Sequence, residues 1–233
     1  MSDSYISVIE AIKHAAWANN RQPVLCWINS EEFEKDGTKL AELKKYDGII
    51  VPGGFGSRGI EGKILAIKYC RENNIPYLGL CYGMQLATIE FSRHVAGLEN
   101  ANTPEVDENT PYPVVHTMDD QVEKIKNKKM GGTMRLGAYP CVLDKNSISY
   151  KAYGQTKISE RHRHRYEFNN QFRKLLEDKG LRIAGTSPDD KLVEIIEVPN
   201  HKFFVATQFH PEFKSRPLRP HPLFREFIKA AIS

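Results

Sequence analysis

The chain has 233 residues, of which 40% are hydrophobic and 27% charged, which is enough for one sizeable domain. Its net charge of +4 is mild and no basic block dominates, so the composition does not predict nucleic-acid binding. No apolar run is long enough to predict a membrane span. The four cysteines are scattered without a CxxC pair, which disfavours a disulfide framework or a metal site and favours a reducing cytoplasm.

Strand-like and helical segments alternate along the first half of the chain. Apolar residues recur at helical spacing between Tyr5 and Ala16. Short apolar runs predict strands, and intervening periodic stretches predict helices. The predicted strands are residues 24–28, 47–51 and 75–80, and the predicted helices that follow them are residues 40–45, 61–71 and 84–91.

The second half is predicted to contain shorter strands. Residues 97–132 are polar, contain several prolines and have a lysine-rich tip at 124–129, which predicts a surface loop. Helices are expected at 171–179 and from Pro222, which suits a first helical turn, to Ile232. The expected strands are residues 133–136, 141–143, 162–168, 181–186, 193–198 and 203–209.

This order predicts one α/β domain over residues 1–233, with a mostly parallel central sheet, helices on both faces and a smaller set of antiparallel strands. Functional residues are then expected at the carboxyl ends of the parallel strands, where loops from neighbouring strands meet.

One cysteine is framed by glycines between a predicted strand and a predicted helix. Cys81 lies in Gly79-Leu80-Cys81-Tyr82-Gly83. A G-x-C-x-G at such a junction is the thiol form of the nucleophile elbow, in which a sharp turn projects the side chain and the helix N-terminus favours a thiolate. The ordinary alternative is a buried structural cysteine, which is what we expect of Cys26, Cys70 and Cys141.

A histidine and a carboxylate follow the predicted strand 203–209. His210-Pro211-Glu212 completes the set of nucleophile, base and orienting acid that activates a thiol. The alternative is a surface histidine beside a turn proline. The sequence therefore predicts a cysteine-dependent acyl-transfer enzyme, with Cys81 as nucleophile, His210 as base and then acid, and Glu212 orienting the imidazole.

Several longer stretches resemble one known family. Together they resemble class I glutamine amidotransferases and, within them, the glutaminase half of CTP synthases, over essentially the whole chain. The matching stretches are GLCYGMQ (79–85), VPGGFGSRG (51–59), MGGTMRLG (130–137), ERHRHRYE (160–167) and QFHPEF (208–213). The resemblance implies a flavodoxin-like sheet and hydrolysis of L-glutamine to glutamate and ammonia through a Cys81 γ-glutamyl thioester.

The resemblance also implies roles for further residues. The backbone N–H groups of Gly54 and Tyr82 would form the oxyanion hole, while the glycine-rich loop with Phe55 and Arg58 would act as a lid that contacts GTP. Arg165 would hold the α-carboxylate of glutamine, which suits a bidentate guanidinium. The remaining substrate contacts would be Gly83, Met84, Gln85 and Glu105.

Residues 161–165, which alternate arginine and histidine, leave other interpretations open. A nucleic-acid patch is weakly supported because no aromatic residues are interleaved, and a His162–His164 metal pair lacks an obvious third ligand, so no metal is expected. On a strand, the arginines would face one side and the histidines the other. A carboxylate at Glu105 suits an α-ammonium group chemically, but the sequence alone favours a solvated loop acid.

Two departures from the family pattern affect these expectations. Tyr82 stands where the family usually has a small aliphatic residue, and should reshape the pocket without removing the backbone N–H. The amidoligase domain that precedes the glutaminase in full-length CTP synthases is absent from this sequence. The resemblance implies that the full-length enzyme is a homotetramer that uses this ammonia to aminate UTP to CTP with ATP and Mg²⁺, and is activated by GTP.

Two other functions remain as alternatives. A γ-glutamyl hydrolase-like thiol enzyme on the same scaffold should lack the stretches at 131–137 and 160–167, and both are present. A non-catalytic interaction module is disfavoured because Cys81, His210 and Glu212 are all intact.

Overall fold

The computed structural model describes residues 2–117 and 134–233. The predicted lysine-rich tip at 124–129 and the first residues of the stretch at 130–137 lie outside the described residues. No helix within the described ranges has the length and apolar character needed to cross a bilayer.

The described residues contain eleven strands. They are β1 (Ile49–Val51), β2 (Tyr77–Leu80), β3 (Ala101–Asn102), β4 (Tyr112–Pro113), β5 (Val115–Thr117), β6 (Arg135–Leu143), β7 (Lys157–His164), β8 (Tyr166–Phe168), β9 (Arg182–Thr186), β10 (Val193–Glu197) and β11 (Phe204–Thr207). Seven of them form a mixed central sheet in the order β1-β2-β11-β10-β9-β6-β7, and the others form two two-stranded sheets, β3-β4 and β5-β8.

The α/β class with parallel and antiparallel strands is confirmed. Strands β1, β2 and β11 pair in parallel. The antiparallel part is more extensive than expected, because β10, β9, β6 and β7 continue the same sheet by antiparallel pairing instead of forming a separate set. The alternation predicted for residues 161–165 is confirmed on β7, where the histidines are buried while Arg161 and Arg163 are exposed.

Helices cover both faces of the sheet. They are α1 (Ile6–Ala18), α2 (Glu31–Lys35), α3 (Ile60–Glu72), α4 (Tyr82–His94), α5 (Ile148–Tyr153), α6 (Arg173–Asp178) and α7 (Pro222–Ala231). Alternate residues of β11 enter different cores: Phe204 packs with α3 and α4 on one face, and Val205 packs with α1 and α7 on the other. Short 3₁₀ helices span Gly37–Lys45, Asn170–Phe172 and Pro211–Lys214, so the helices expected at 40–45 and at the start of 171–179 are tighter than predicted.

The strand predicted at residues 24–28 is wrong. The segment has no strand assignment, and its apolar side chains are exposed, with Val24 at 87% and Trp27 at 59%. Trp27 contacts the Tyr5 ring, with centroids 5.5 Å apart. Strand propensity reflects packing and pairing with neighbours, and this segment pairs with no strand in the described part of the chain, so its apolar composition alone does not produce a strand.

Candidate active site

The three parallel strands deliver the predicted catalytic segments to one edge of the sheet. Gly53 follows β1 by two residues, Cys81 follows β2 directly, and His210 follows β11 by three. Because β1, β2 and β11 are adjacent and parallel, their carboxyl ends lie side by side.

The turn at Cys81 has the geometry of a nucleophile elbow. Cys81 has φ 51° and ψ −97°, a conformation that is costly for a residue with a side chain, and it caps the N-terminus of α4. The Cys81 N–H donates to the Thr207 carbonyl at 2.6 Å, which fixes the turn to β11. Gly83 allows α4 to approach β1, because a Cβ there would lie 2.2 Å from the Val51 carbonyl oxygen.

His210 and Glu212 form a buried pair beside this turn. His210 Nδ1 lies 2.8 Å from Glu212 Oε1, and the His210 N–H donates to the Arg161 carbonyl at 2.8 Å. Burial by itself would lower the pKa of His210, but the hydrogen bonds and charges of Cys81 and Glu212 outweigh it and raise that pKa to about 10. At neutral pH the imidazole therefore holds its proton and can act as an acid beside the Cys81 sulfur.

The second imidazole nitrogen is available for chemistry. His210 Nε2 is buried on the side of the imidazole away from Glu212, and among the described residues it has no acceptor other than the Cys81 sulfur. The Phe213 ring stacks on the imidazole at a centroid distance of 5.1 Å and an interplanar angle of 21°. Glu212 and Phe213 therefore fix the ring from its Nδ1 side and from its face, and leave Nε2 as the atom that can transfer a proton.

The glycine loop after β1 lies against both reacting groups. A Cβ at Gly53 would lie 2.8 Å from His210 Cε1 and 3.7 Å from Cys81 Cβ, so only glycine leaves room for the imidazole. A Cβ at Gly54 would lie 3.6 Å from Tyr82 Cδ1. Gly54 and Tyr82, the predicted oxyanion residues, are thus brought together beside Cys81.

The predicted substrate residues differ in how much of each side chain is free. Gln85 faces inward, and its Nε2 donates to the Tyr166 carbonyl at 2.8 Å. Glu105 Oε1 accepts from the Gly56 N–H at 3.0 Å. Arg165 is half-buried, and its Nε has no hydrogen-bond partner among the described residues, so this donor is available to a carboxylate.

The other predicted contacts are placed differently. The Met84 side chain is buried in the core that lines α3 and α4, and the Gly83 carbonyl accepts from Tyr77 Oη at 2.9 Å. A substrate contact at either residue would therefore involve main-chain atoms.

The two residues of the predicted lid lie at the surface. Phe55 is 91% exposed, and Arg58 pairs with Glu31, with Nη2 to Oε2 at 3.1 Å.

Sequence reasoning missed Gln208, which is buried next to the nucleophile. Its Nε2 donates to Cys81 Sγ at 3.7 Å, and its Oε1 accepts from Gln85 Nε2 at 3.4 Å. The signal was present, because a polar side chain at the end of an apolar run, two residues before His210, projects to the same side of an extended chain as that histidine.

A buried charged cluster lies behind this site, and sequence reasoning missed that Arg135 and Glu194 join His162 and His164 there. Arg135 Nη1 pairs with Glu194 Oε1 at 2.7 Å, and His162 Nδ1 lies 3.1 Å from His164 Nε2. Burial first and Arg135 second lower the pKa of His162 to about 2 and that of His164 to about 3, so both histidines are neutral. Within the described ranges no group of three or more His, Cys, Asp or Glu side chains could hold a metal ion.

Comparisons with known proteins identify one family. The family model "Glutamine amidotransferase class-I" matches residues 1–230. The chain is 59% identical over its full length to the CTP synthase of Caldanaerobacter subterraneus subsp. tengcongensis, and 58% identical over 99% of its length to that of Clostridium acetobutylicum. It covers 43% and 42% of those proteins, less than half of each.

A solved structure is similar over the whole fold. The glutaminase domain of Trypanosoma brucei CTPS with bound acivicin superposes with a TM-score of 0.92 at 39% identity, with coverage of 99% of this chain and 88% of that one.

Proposed function

The chain belongs to the class I glutamine amidotransferase family, and from this premise we propose that its site hydrolyses the side-chain amide of L-glutamine through a thioester on Cys81. The observation that supports this most directly is the convergence of Cys81, His210 and Glu212 at one sheet edge, with an imidazole whose pKa is raised to about 10. Such a pair supplies both a nucleophile and a proton for the departing nitrogen.

The proposed reaction has two stages. The Cys81 thiolate attacks the amide carbon, and the resulting oxyanion is stabilised by the Gly54 and Tyr82 N–H groups. His210 Nε2 donates its proton to the amide nitrogen, which leaves as ammonia while the C–N bond breaks and the γ-glutamyl thioester remains. His210 then takes a proton from water, which cleaves the thioester to glutamate and restores the thiolate–imidazolium pair.

We propose that the two charged groups of the amino acid are held by Arg165 and Glu105. The free Nε of Arg165 suits the α-carboxylate, and Glu105, at the rim of the same site, suits the α-ammonium. The main-chain atoms of Gly83 and Met84, and the inward-facing Gln85, would shape the pocket around the substrate side chain.

Replacing Arg165 by alanine should raise the KM for glutamine by roughly 10- to 100-fold with little change in kcat. The carboxylate that Arg165 would bind does not change during the reaction, so its loss removes uniform binding, and a charged hydrogen bond contributes about 1.5–3 kcal/mol. Steady-state kinetics measure both constants. Arg161→Ala is the matched control on β7, because its side chain is exposed. A normal KM in Arg165→Ala would remove this residue from the substrate site.

We further propose that the chain is the glutaminase part of a CTP synthase. The names of its relatives and the fraction of their length that it matches support this. An amidoligase domain of the same polypeptide would use the ammonia to aminate UTP with ATP and Mg²⁺, in a homotetramer activated by GTP. The exposed ring of Phe55, together with Arg58, would be available to that nucleotide.

A glutamine-like electrophile should label Cys81 and spare the other cysteines, which tests the nucleophile and the substrate class together. Burial raises the pKa of Cys70 to about 12 and also raises that of Cys141, so neither supplies a thiolate at neutral pH. Cys26 is exposed, so the expectation that it is a buried structural cysteine is wrong, and it serves as an internal control for non-specific reaction. Mass spectrometry locates the adduct, and excess glutamine should protect Cys81. Stoichiometric labelling of another cysteine with Cys81 unmodified would contradict the proposal.

A further inference from the structure

One residue of the glycine loop is held from two sides. The Tyr82 hydroxyl donates to the Gly56 carbonyl at 2.6 Å, and the Gly56 N–H donates to Glu105 Oε1 at 3.0 Å. Gly56 has φ 83°, a conformation that favours glycine. The loop is therefore fixed at this point to the first residue of α4 on one side and to Glu105 on the other.

The position of Tyr82 makes this contact unusual. Tyr82 is the first residue of α4 and follows Cys81 directly, so a residue whose N–H is a proposed oxyanion donor also reaches the opposite loop through its side chain. Tyr82 is 2% exposed, and a Cβ at Gly54 would lie within van der Waals contact of its ring. Burial, with the Glu105 charge as a smaller contribution, raises the pKa of the phenol, so the hydroxyl remains a donor.

We propose that Tyr82 is a positioning residue: its hydroxyl holds Gly56, and through the loop it aims the Gly54 N–H at the oxygen of the tetrahedral intermediate. This inference rests on the proposed glutaminase function. The oxyanion donors act only when they are already oriented, because their benefit is lost if the loop must reorganise during the reaction. Glu105 would then serve both the loop amide and the substrate ammonium, since a carboxylate accepts from several donors.

The test is Tyr82→Phe, which removes only the hydroxyl and keeps the buried ring. The kcat for glutamine should fall about tenfold, because the Gly54 donor is then no longer held in the orientation that the transition state needs, while KM stays within about twofold. Hydrogen exchange at the Gly54 and Gly56 amides should become faster in the variant. Tyr46→Phe is the control, because Tyr46 precedes β1 at the opposite end of the strand and should change neither quantity.

The two measurements separate this inference from the proposed function. Amide exchange needs no activity, so unchanged exchange at Gly54 and Gly56 in Tyr82→Phe would overturn the inference whatever the enzyme hydrolyses. Faster exchange with an unchanged kcat would also overturn it, because the loop would then not position a catalytic donor. An inactive wild-type chain whose exchange still responds to Tyr82→Phe would refute the glutaminase function while supporting the positioning of the loop.

Discussion

Replacing Cys81 by alanine should abolish glutamine hydrolysis, with a fall in kcat on the order of 10⁶-fold, as expected when a nucleophile is removed from a catalytic unit. The thioester cannot form without the sulfur, and no other described cysteine lies in a glycine-framed turn. Release of ammonia and glutamate by the purified variant measures the effect. Cys81 has a positive φ, which is costly for any residue with a Cβ. Alanine also has a Cβ, so the cost of the turn does not change and the fold should survive.

The controls distinguish loss of chemistry from loss of structure. Cys26→Ala alters an exposed cysteine and should retain full activity. In a polypeptide that also contains the proposed synthase domain, Cys81→Ala should leave CTP formation from added ammonia intact, because only the supply of ammonia depends on the thiol. Equal loss of both activities in a well-folded variant would contradict the proposed division of labour.

The elbow was predictable because its determinants are local. A short apolar run, a cysteine and glycines on both sides are enough to predict a strand, a sharp turn and a helix, and Cys81 is found there with the expected strained backbone. His210 and Glu212 were predictable for a similar reason, since they are two residues apart after a strand. The distance of 2.8 Å between His210 Nδ1 and Glu212 Oε1 follows from that short spacing.

Features that depend on contacts between distant parts of the chain were harder to predict from the sequence. Residues 24–28 have the composition of a strand, but a strand also needs a neighbour, and composition does not identify one. The contact from Tyr82 to Gly56 joins residues 26 positions apart, and the contact from Gln208 to Cys81 joins residues 127 apart. No local sequence pattern identifies contacts between residues that are so far apart in the chain. The extent of antiparallel pairing in the main sheet depends equally on long-range register.

The raised pKa of His210 connects the geometry of the site to its pH dependence. Because that pKa lies above the ordinary value of 6.5, the charged imidazole stabilises the folded chain. This contribution is complete below about pH 6.5 and is lost as the pH rises through about 10. The same limit should apply to activity, because the proposed mechanism needs the proton on His210 when the amide nitrogen leaves.

Glu212→Gln should therefore lower kcat by about 10²-fold or more and move the alkaline limit of activity to lower pH. The amide cannot neutralise an imidazolium, so the pKa of His210 moves back toward its ordinary value and the charge that grows in the transition state loses its partner. The pH profile of kcat measures the shift, and Glu177→Gln, an exposed carboxylate on α6, is the matched control. An unchanged alkaline limit in Glu212→Gln would mean that the carboxylate does not set the charge state of His210, and the ion-pair mechanism proposed here would have to be abandoned.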